Sequence, residues 1–312
     1  GAMTQVSGSA LPAGVWPVMI TPFNADRTID WGGVEALVDW YIECGVAGLF
    51  AVCLSSEMYT LSDPERLALA ERVVQRAAGR VPVVASGTFG GALGAQAAFV
   101  RRMAGTGVAA VVILTCQLAR QEESDDAWRA NAERLLALTG DIPLGLYECP
   151  TPYKRLLTPE LMRWAAQTGR ILFHKDTCCE MERIRAKIAA VRGTRFRFYN
   201  ANAATLLGSL QAGGDGFSGI AANDFPRLHV WLCQHWQDEP ERAARLQRFL
   251  SVAEAVVRYK YPASAKAFRR LDGMAIDPTC RVAAEPLNEE DVRILTHLLE
   301  LSREIAADLG LS

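Results

Sequence analysis

Between Val15 and about Trp236, short β-branched or apolar runs alternate with stretches of helical period eight times over, and few folds accept a chain written that way. The expected strands are Val15–Thr21, Val46–Cys53, Val81–Ser86, Ala109–Thr115, Pro143–Cys149, Arg170–Lys175, Arg195–Tyr199 and Gly216–Ala221. Each precedes an amphipathic segment: Trp31–Cys44, Ser62–Ala78, Gly94–Gly105, Asp125–Leu138, Thr158–Ala166, Met181–Val191, Ala203–Ala212 and Pro226–Trp236. Eight strand-helix units in about 225 residues predict an α/β fold, a closed (β/α)8 TIM barrel, better than an open doubly wound sheet. No GxGxxG follows the first strand, so a dinucleotide fold lacks its fingerprint. Gly87, Gly90, Gly91 and Gly94 read as a tight strand-to-helix turn, with a phosphate cradle as the alternative. Beyond Gln237 the strand signal stops, and Glu241–Tyr259, Ser264–Leu271 and Asn288–Leu309 read as helices. The expected organisation is a leader at 1–10, where Gly1-Ala2 before Met3 looks like an expression remnant, a barrel catalytic domain at 11–238, and a C-terminal helical extension at 239–312.

Composition narrows the function classes. Thirty-three Lys and Arg against 35 Asp and Glu give a net charge of −2, which offers no footprint for nucleic acid or an anionic membrane. A small neutral or anionic molecule is the expected partner. The longest apolar runs, such as Val108 to Leu114, fall far short of the roughly 20 residues that span a bilayer. No secretory pattern opens the chain, and the eight cysteines are scattered, so a cytoplasmic protein with reduced thiols is expected. The four histidines show no HExxH spacing and there is no CxxC pair, so no metal is expected.

Only five lysines accompany 28 arginines, and one of them, Lys175, falls at the carboxyl end of the sixth strand, where barrels place their active sites. Burial there would lower its pKa and supply a neutral amine able to attack a keto carbon and form a Schiff base. The alternative is a barrel-mouth lysine paired with Asp176 or another carboxylate. On the fifth strand, alternation sends Gly145 and Tyr147 inward, and on the sixth Phe173, Lys175 and Thr177, so Tyr147 and Lys175 should be neighbours. A phenol in that place can shuttle a proton. His174 then points the other way, as an interlayer histidine. After the second strand, Ser55, Ser56 and Glu57 precede a helix, where hydroxyls and free N–H groups suit a substrate carboxylate; ordinary capping, as in Ser62 with Glu65, is the competing reading.

Together these residues resemble the dihydrodipicolinate synthase and N-acetylneuraminate lyase family of (β/α)8 Schiff-base enzymes acting on pyruvate or other 2-keto acids. The first family signature, Gly-Ser/Thr-Thr-Gly-Glu after an apolar strand with an acidic residue further on, is matched by Gly48-Leu49-Phe50, Cys53-Leu54-Ser55-Ser56-Glu57 and Glu65. The second, from Tyr-Asn-x-Pro to the Schiff-base lysine, is matched by Tyr147-Glu148-Cys149-Pro150 and Lys175-Asp176-Thr177, with the family's 28-residue step from Tyr147 to Lys175. Gly213-Gly214-Asp215-Gly216-Phe217-Ser218-Gly219 resembles the family's eighth strand. The resemblance implies Lys175 as imine-forming nucleophile, Tyr147 as general acid/base, Ser55 and Ser56 as the carboxylate cradle, and Ser218 as a lining residue. It also implies a homotetramer or dimer and no cofactor.

Several positions depart from the family. Leu54 replaces the first hydroxyl of the signature, and Cys53 and Ser56 replace its glycines. Gln117-Leu118 stands where many members carry a tyrosine used by the neighbouring subunit, and Pro152 aligns with the arginine that binds the second substrate's carboxylate, with Arg155 three residues on. These changes argue against lysine biosynthesis. The expected function is a lyase that forms a lysine Schiff base with pyruvate or another 2-keto acid and cleaves, condenses or dehydrates a hydroxylated 2-keto (sugar) acid. Ser56, Gln117, Asn200 or Asn202 would supply a polar pocket edge and Leu54 or Leu118 an apolar one. The alternatives are dihydrodipicolinate synthase or N-acetylneuraminate lyase proper, and a decayed member that binds a keto acid without turnover.

Overall fold

The computed structural model describes residues 9–311, so the leader expected at 1–10 lies, apart from Ser9 and Ala10, outside the described residues. Eight parallel strands occur: β1 (Gly14–Val15), β2 (Leu49–Phe50), β3 (Val83–Ser86), β4 (Ala110–Leu114), β5 (Leu144–Tyr147), β6 (Ile171–Asp176), β7 (Arg197–Asn200) and β8 (Gly216–Phe217). Their order is β1-β8-β7-β6-β5-β4-β3-β2, and a parallel bridge between Val18 and Phe50 brings the first strand's continuation against β2. The helices between them are α1 (Trp31–Glu43), α2 (Asp63–Ala77), α3 (Leu93–Ala104), α4 (Asp125–Leu138), α5 (Pro159–Gln167), α6 (Met181–Val191), α7 (Leu206–Gln211) and α8 (Pro226–His235). Asp30, Ser62, Ser124 and Thr158 cap four of them through their side chains, and Ser62 and Glu65 form the reciprocal box expected of them.

The strands are shorter than the apolar runs predict, and the first shows why. Pro17 has no N–H to donate, so the run cannot continue one ladder. Trp16 N donates to Phe217 O at 2.8 Å, whereas Pro17 O accepts from Phe50 N and Met19 N donates to Phe50 O, both at 3.0 Å. The chain thus changes partner from β8 to β2 within three residues, which closes the barrel. Closure also needs glycine: at Gly216, with φ of +156°, a Cβ would lie 1.8 Å from the Gly14 carbonyl oxygen.

Trp16, Phe50, Phe173 and Tyr199 fill the barrel with ring centroids 4.9 to 5.6 Å apart in tilted or edge-to-face pairs. This aromatic plug leaves the carboxyl end of the strands as the place for a cavity. The C-terminal helices α9 (Pro240–Arg258), α10 (Ala263–Leu271) and α11 (Glu289–Asp308) are no peripheral appendix. Leu246, Leu250 and Phe268 belong to the same apolar core as the barrel, and α9 crosses the turns that follow β7 and β8.

Behind that crossing, Asp224 is buried and neither carboxylate oxygen has a hydrogen-bond partner. Burial pushes its pKa up to about 8 against the opposing pull of Arg269. An unfolded aspartate titrates near 3.9, so the folded state keeps a proton that the unfolded state loses, and stability falls as pH rises from about 4 toward 8. Asp224→Asn, which cannot ionise, should therefore gain on the wild type by at least about 2 °C in Tm between pH 5 and pH 9. Thermal melts showing a constant gap across that range would contradict this.

Candidate active site

A cavity of about 590 Å³ opens at the carboxyl end of the barrel. Tyr147 and Lys175 enter its wall from β5 and β6, where they are register partners. The Lys175 ammonium nitrogen lies 4.6 Å from the Tyr147 ring centroid, and the lysine is 4% exposed. Among the described residues no carboxylate lies within ion-pair distance of it, and burial pushes its pKa below the ordinary lysine value. Burial likewise raises the Tyr147 phenol well above 10, so it holds its proton at neutral pH. An amine biased toward its neutral form beside a protonated phenol can attack a carbonyl and exchange a proton with the adduct.

Asp176, the partner considered for Lys175, is engaged elsewhere. Its Oδ2 lies 2.5 Å from Lys187 Nζ and 3.0 Å from His174 Nε2, on the side of β6 that faces the helices. His174 is stacked on Phe196 there, turned away from the cavity. Glu148, standing where the family motif has asparagine, joins them: it accepts from Lys187 Nζ at 2.8 Å, Leu157 N at 2.6 Å and Thr177 N at 2.9 Å. One buried carboxylate thus ties the ends of β5 and β6 to α6. Burial raises the Glu148 pKa, whereas the His174 hydrogen bond and the Lys187 charge overcome burial and lower that of Asp176. Glu148, His174 and Asp176 have the spacing of a metal triad, but the Lys187 ammonium already stands among them as the cation.

The expected carboxylate cradle is only partly present. Ser55 lines the cavity, and its Oγ accepts from Tyr261 OH at 2.6 Å, which leaves the serine proton free to donate. Tyr261 in turn accepts from Asn223 Nδ2 at 3.0 Å, and Asn223 is held by Tyr41 and by the Val18 carbonyl. Ser56 is not in the cavity wall. Its Oγ is fully buried and donates toward Met19 O at 2.6 Å or Ala51 O at 3.1 Å while accepting from Cys53 N, so it shapes the turn from inside. Ser218 is also absent from the wall, because its Oγ donates to Trp16 O at 2.8 Å. Glu57 clamps the extension: Oε2 binds the buried Lys266 at 2.6 Å and Oε1 accepts from the Arg281 and Val282 N–H groups.

Of the expected polar edge only Asn202 lines the cavity, and of the apolar edge only Leu54. Gln117 and Leu118 border a separate groove. Arg155 does not replace the arginine lost at Pro152: its guanidinium is spent on Asp125, Tyr153 and the Arg120 and Glu123 carbonyls. Sequence reasoning missed the part of the wall that the extension supplies, which includes Glu254, Arg258, Tyr261 and Pro262. A Tyr-Pro pair between two helices carries no signal that it folds back onto a barrel mouth.

A model of the dihydrodipicolinate synthetase family matches residues 11–301. The chain belongs to this family. Family membership makes it an enzyme of the class I aldolase and lyase type. It is 30% identical over 274 residues to a 4-hydroxy-tetrahydrodipicolinate synthase of Gluconacetobacter diazotrophicus, covering 87% of this chain and 91% of that one. Among solved structures, it resembles the family member YagE of E. coli K12 in complex with pyruvate, with a TM-score of 0.84, 26% identity, and coverage of 94% of this chain and 99% of that one. Dihydrodipicolinate synthase from Thermotoga maritima shares the fold at 22% identity and a TM-score of 0.83, with coverage of 94% and 99%. Among the described residues no helix is long and apolar enough to cross a membrane.

Proposed function

We propose that this chain is a lyase in which Lys175 forms an imine with pyruvate or another 2-keto acid and cleaves or dehydrates a hydroxylated 2-keto acid. The observation that carries the reading is a buried lysine with no carboxylate partner, set beside a protonated phenol in the one place where this fold keeps its chemistry. The neutral amine adds to C2 of the keto acid and water leaves. The protonated imine then takes the electron pair released at C3, so the step needs neither metal nor organic cofactor. Tyr147 gives or removes the proton, and Ser55, oriented by Tyr261, donates to the substrate carboxylate. The family resemblance adds assembly as a homotetramer or dimer, and the scattered cysteines favour a cytoplasmic setting.

Synthesis of 4-hydroxy-tetrahydrodipicolinate, the activity named for the Gluconacetobacter relative, is disfavoured here, since Pro152 offers no charge and Arg155 is turned into its own loop. If Tyr261 orients Ser55, Tyr261→Phe should raise the KM for the keto acid by about 5- to 10-fold and change kcat less, the scale of one net hydrogen bond. Steady-state kinetics giving an unchanged KM would remove Tyr261 from the cradle. The imine reading itself is tested by proton exchange: in D2O the methyl protons of pyruvate should exchange with the wild type and not with Lys175→Ala. Equal exchange in both proteins would overturn it.

A further inference from the structure

The buried stripe of α6 is Ile184, Lys187, Ile188 and Val191, so a lysine occupies a position that the helical period gives to an apolar side chain. It is 1% exposed, in a chain that has five lysines against 28 arginines. Lysine supplies a compact point charge on a thin stem, which a planar guanidinium does not. Its ammonium lies 2.8 Å from Glu148 Oε2 and 2.5 Å from Asp176 Oδ2. Glu148 directly follows Tyr147 at the end of β5, and Asp176 directly follows Lys175 on β6. Because side chains alternate along a strand, each of the two cavity residues is backed by a carboxylate on the opposite face, and one ammonium holds both carboxylates. The backbone between the two strands is tied at the same level: Thr177 N donates to Glu148 Oε1 at 2.9 Å, Thr177 Oγ1 to Glu148 O at 2.7 Å, and Glu148 N to Lys175 O at 3.2 Å. Apolar side chains of similar volume replace buried ion groups with little or no loss of stability, so stability alone does not explain this network.

Resting on the proposed imine, we infer that Lys187 is a positioning residue for the reaction. Its ammonium, gripped by Glu148 and Asp176, fixes the spacing and register of β5 and β6 at their carboxyl ends. That sets how the Tyr147 hydroxyl meets the atoms bonded to Lys175. The ammonium does so by standing in a cation site: Glu148, His174 and Asp176 present ligand atoms within 4.8 Å of one another, all three residues fully buried. With Lys187 shortened to alanine, two carboxylates and an imidazole remain, a donor set that zinc accepts, and a divalent ion balances the two negative charges. A small cation of the right charge should therefore do the work of the lysine, whereas an apolar side chain of the same volume should not.

Lys187→Ala tests the inference, with pyruvate as substrate and Zn2+ as the probe ion. Borohydride trapping needs only Lys175, whereas methyl exchange in D2O needs Lys175 and Tyr147 in line. The variant should therefore trap pyruvate to the wild-type yield while its exchange falls by about 10²-fold, the scale of a misplacement of roughly 1 Å. Zn2+ should restore most of that exchange in Lys187→Ala, little in Lys187→Ala/Asp176→Asn, and should add nothing to the wild type. Glu148→Gln keeps the Lys187–Asp176 pair and with it the fold, and should show the same split with a smaller loss. A wild type that traps no pyruvate overturns the imine reading and this inference together. A wild type that traps, beside a Lys187→Ala protein that exchanges equally fast, overturns the role of Lys187 alone. Parallel loss of trapping and exchange, unrelieved by Zn2+, would also overturn it, as the mark of a group that only keeps the fold. Zn2+ that binds Lys187→Ala without restoring exchange would put the role on the lysine's volume and overturn its assignment to the ammonium. If Lys187→Ala does not fold, Glu148→Gln decides: exchange at the wild-type rate overturns the inference, and slow exchange with full trapping sustains it.

Discussion

Lys175→Ala should lose on the order of 10⁴-fold or more in turnover of any keto-acid substrate, because no other amine is available to carry the covalent step. Lys154 also borders the cavity, but it is exposed in a loop and lacks the burial that favours a neutral amine. Lys175→Arg should be as inactive as the alanine variant, since a guanidinium stays charged. Stability should move the other way. A buried lysine with no carboxylate in ion-pair contact costs desolvation whenever it is protonated, and burial lowers its pKa against the weaker opposing pull of Glu254. Between the lowered value and the ordinary one near 10.4 the unfolded state binds the extra proton, so wild-type stability rises with pH in that window. Lys175→Met should therefore be inactive yet more stable than the wild type below the lowered pKa, with the advantage shrinking toward pH 10. A Met variant that melts below the wild type at every pH would show that Lys175 contributes to stability instead.

Tyr147→Phe should lower kcat by about 10²- to 10⁴-fold while leaving the imine able to form. The substitution keeps the ring, and with it the edge-on contact with Phe50 at 5.7 Å and the face presented to Lys175. What disappears is the hydroxyl, whose proton is held tightly because burial raises its pKa well above 10. Trapping of pyruvate should continue at a reduced rate, and methyl exchange in D2O should fall with kcat. A variant with wild-type exchange would assign the proton transfer to another group.

The barrel was legible because its units are local. Each apolar run followed by a helical period is a self-contained signal, and α4 and α6 fall on the residues that periodicity predicts, Asp125–Leu138 and Met181–Val191. Alternation alone sets Tyr147 beside Lys175, and they are register partners. Strand lengths were less legible, since whether an apolar run pairs or turns depends on a partner that lies far away in the chain, as Pro17 shows. The same limit explains the cradle. Ser55 and Ser56 are adjacent hydroxyls, yet one faces the cavity and the other spends its bonds on the Met19, Ala51 and Cys53 backbone. Ser218 is likewise taken by the Trp16 carbonyl, more than two hundred residues away in sequence. Glu254 and Tyr261 left no trace, because α9 must dock on the turns after β7 and β8 before either residue belongs to the site.

The most direct test of the imine is mass spectrometry after borohydride reduction in the presence of pyruvate, on the wild type and on Lys175→Ala. The expected result is a stable adduct of pyruvate mass that maps to Lys175 in the wild type and is absent from the variant. An adduct that forms on another lysine, or that persists at full yield in Lys175→Ala, would contradict the account.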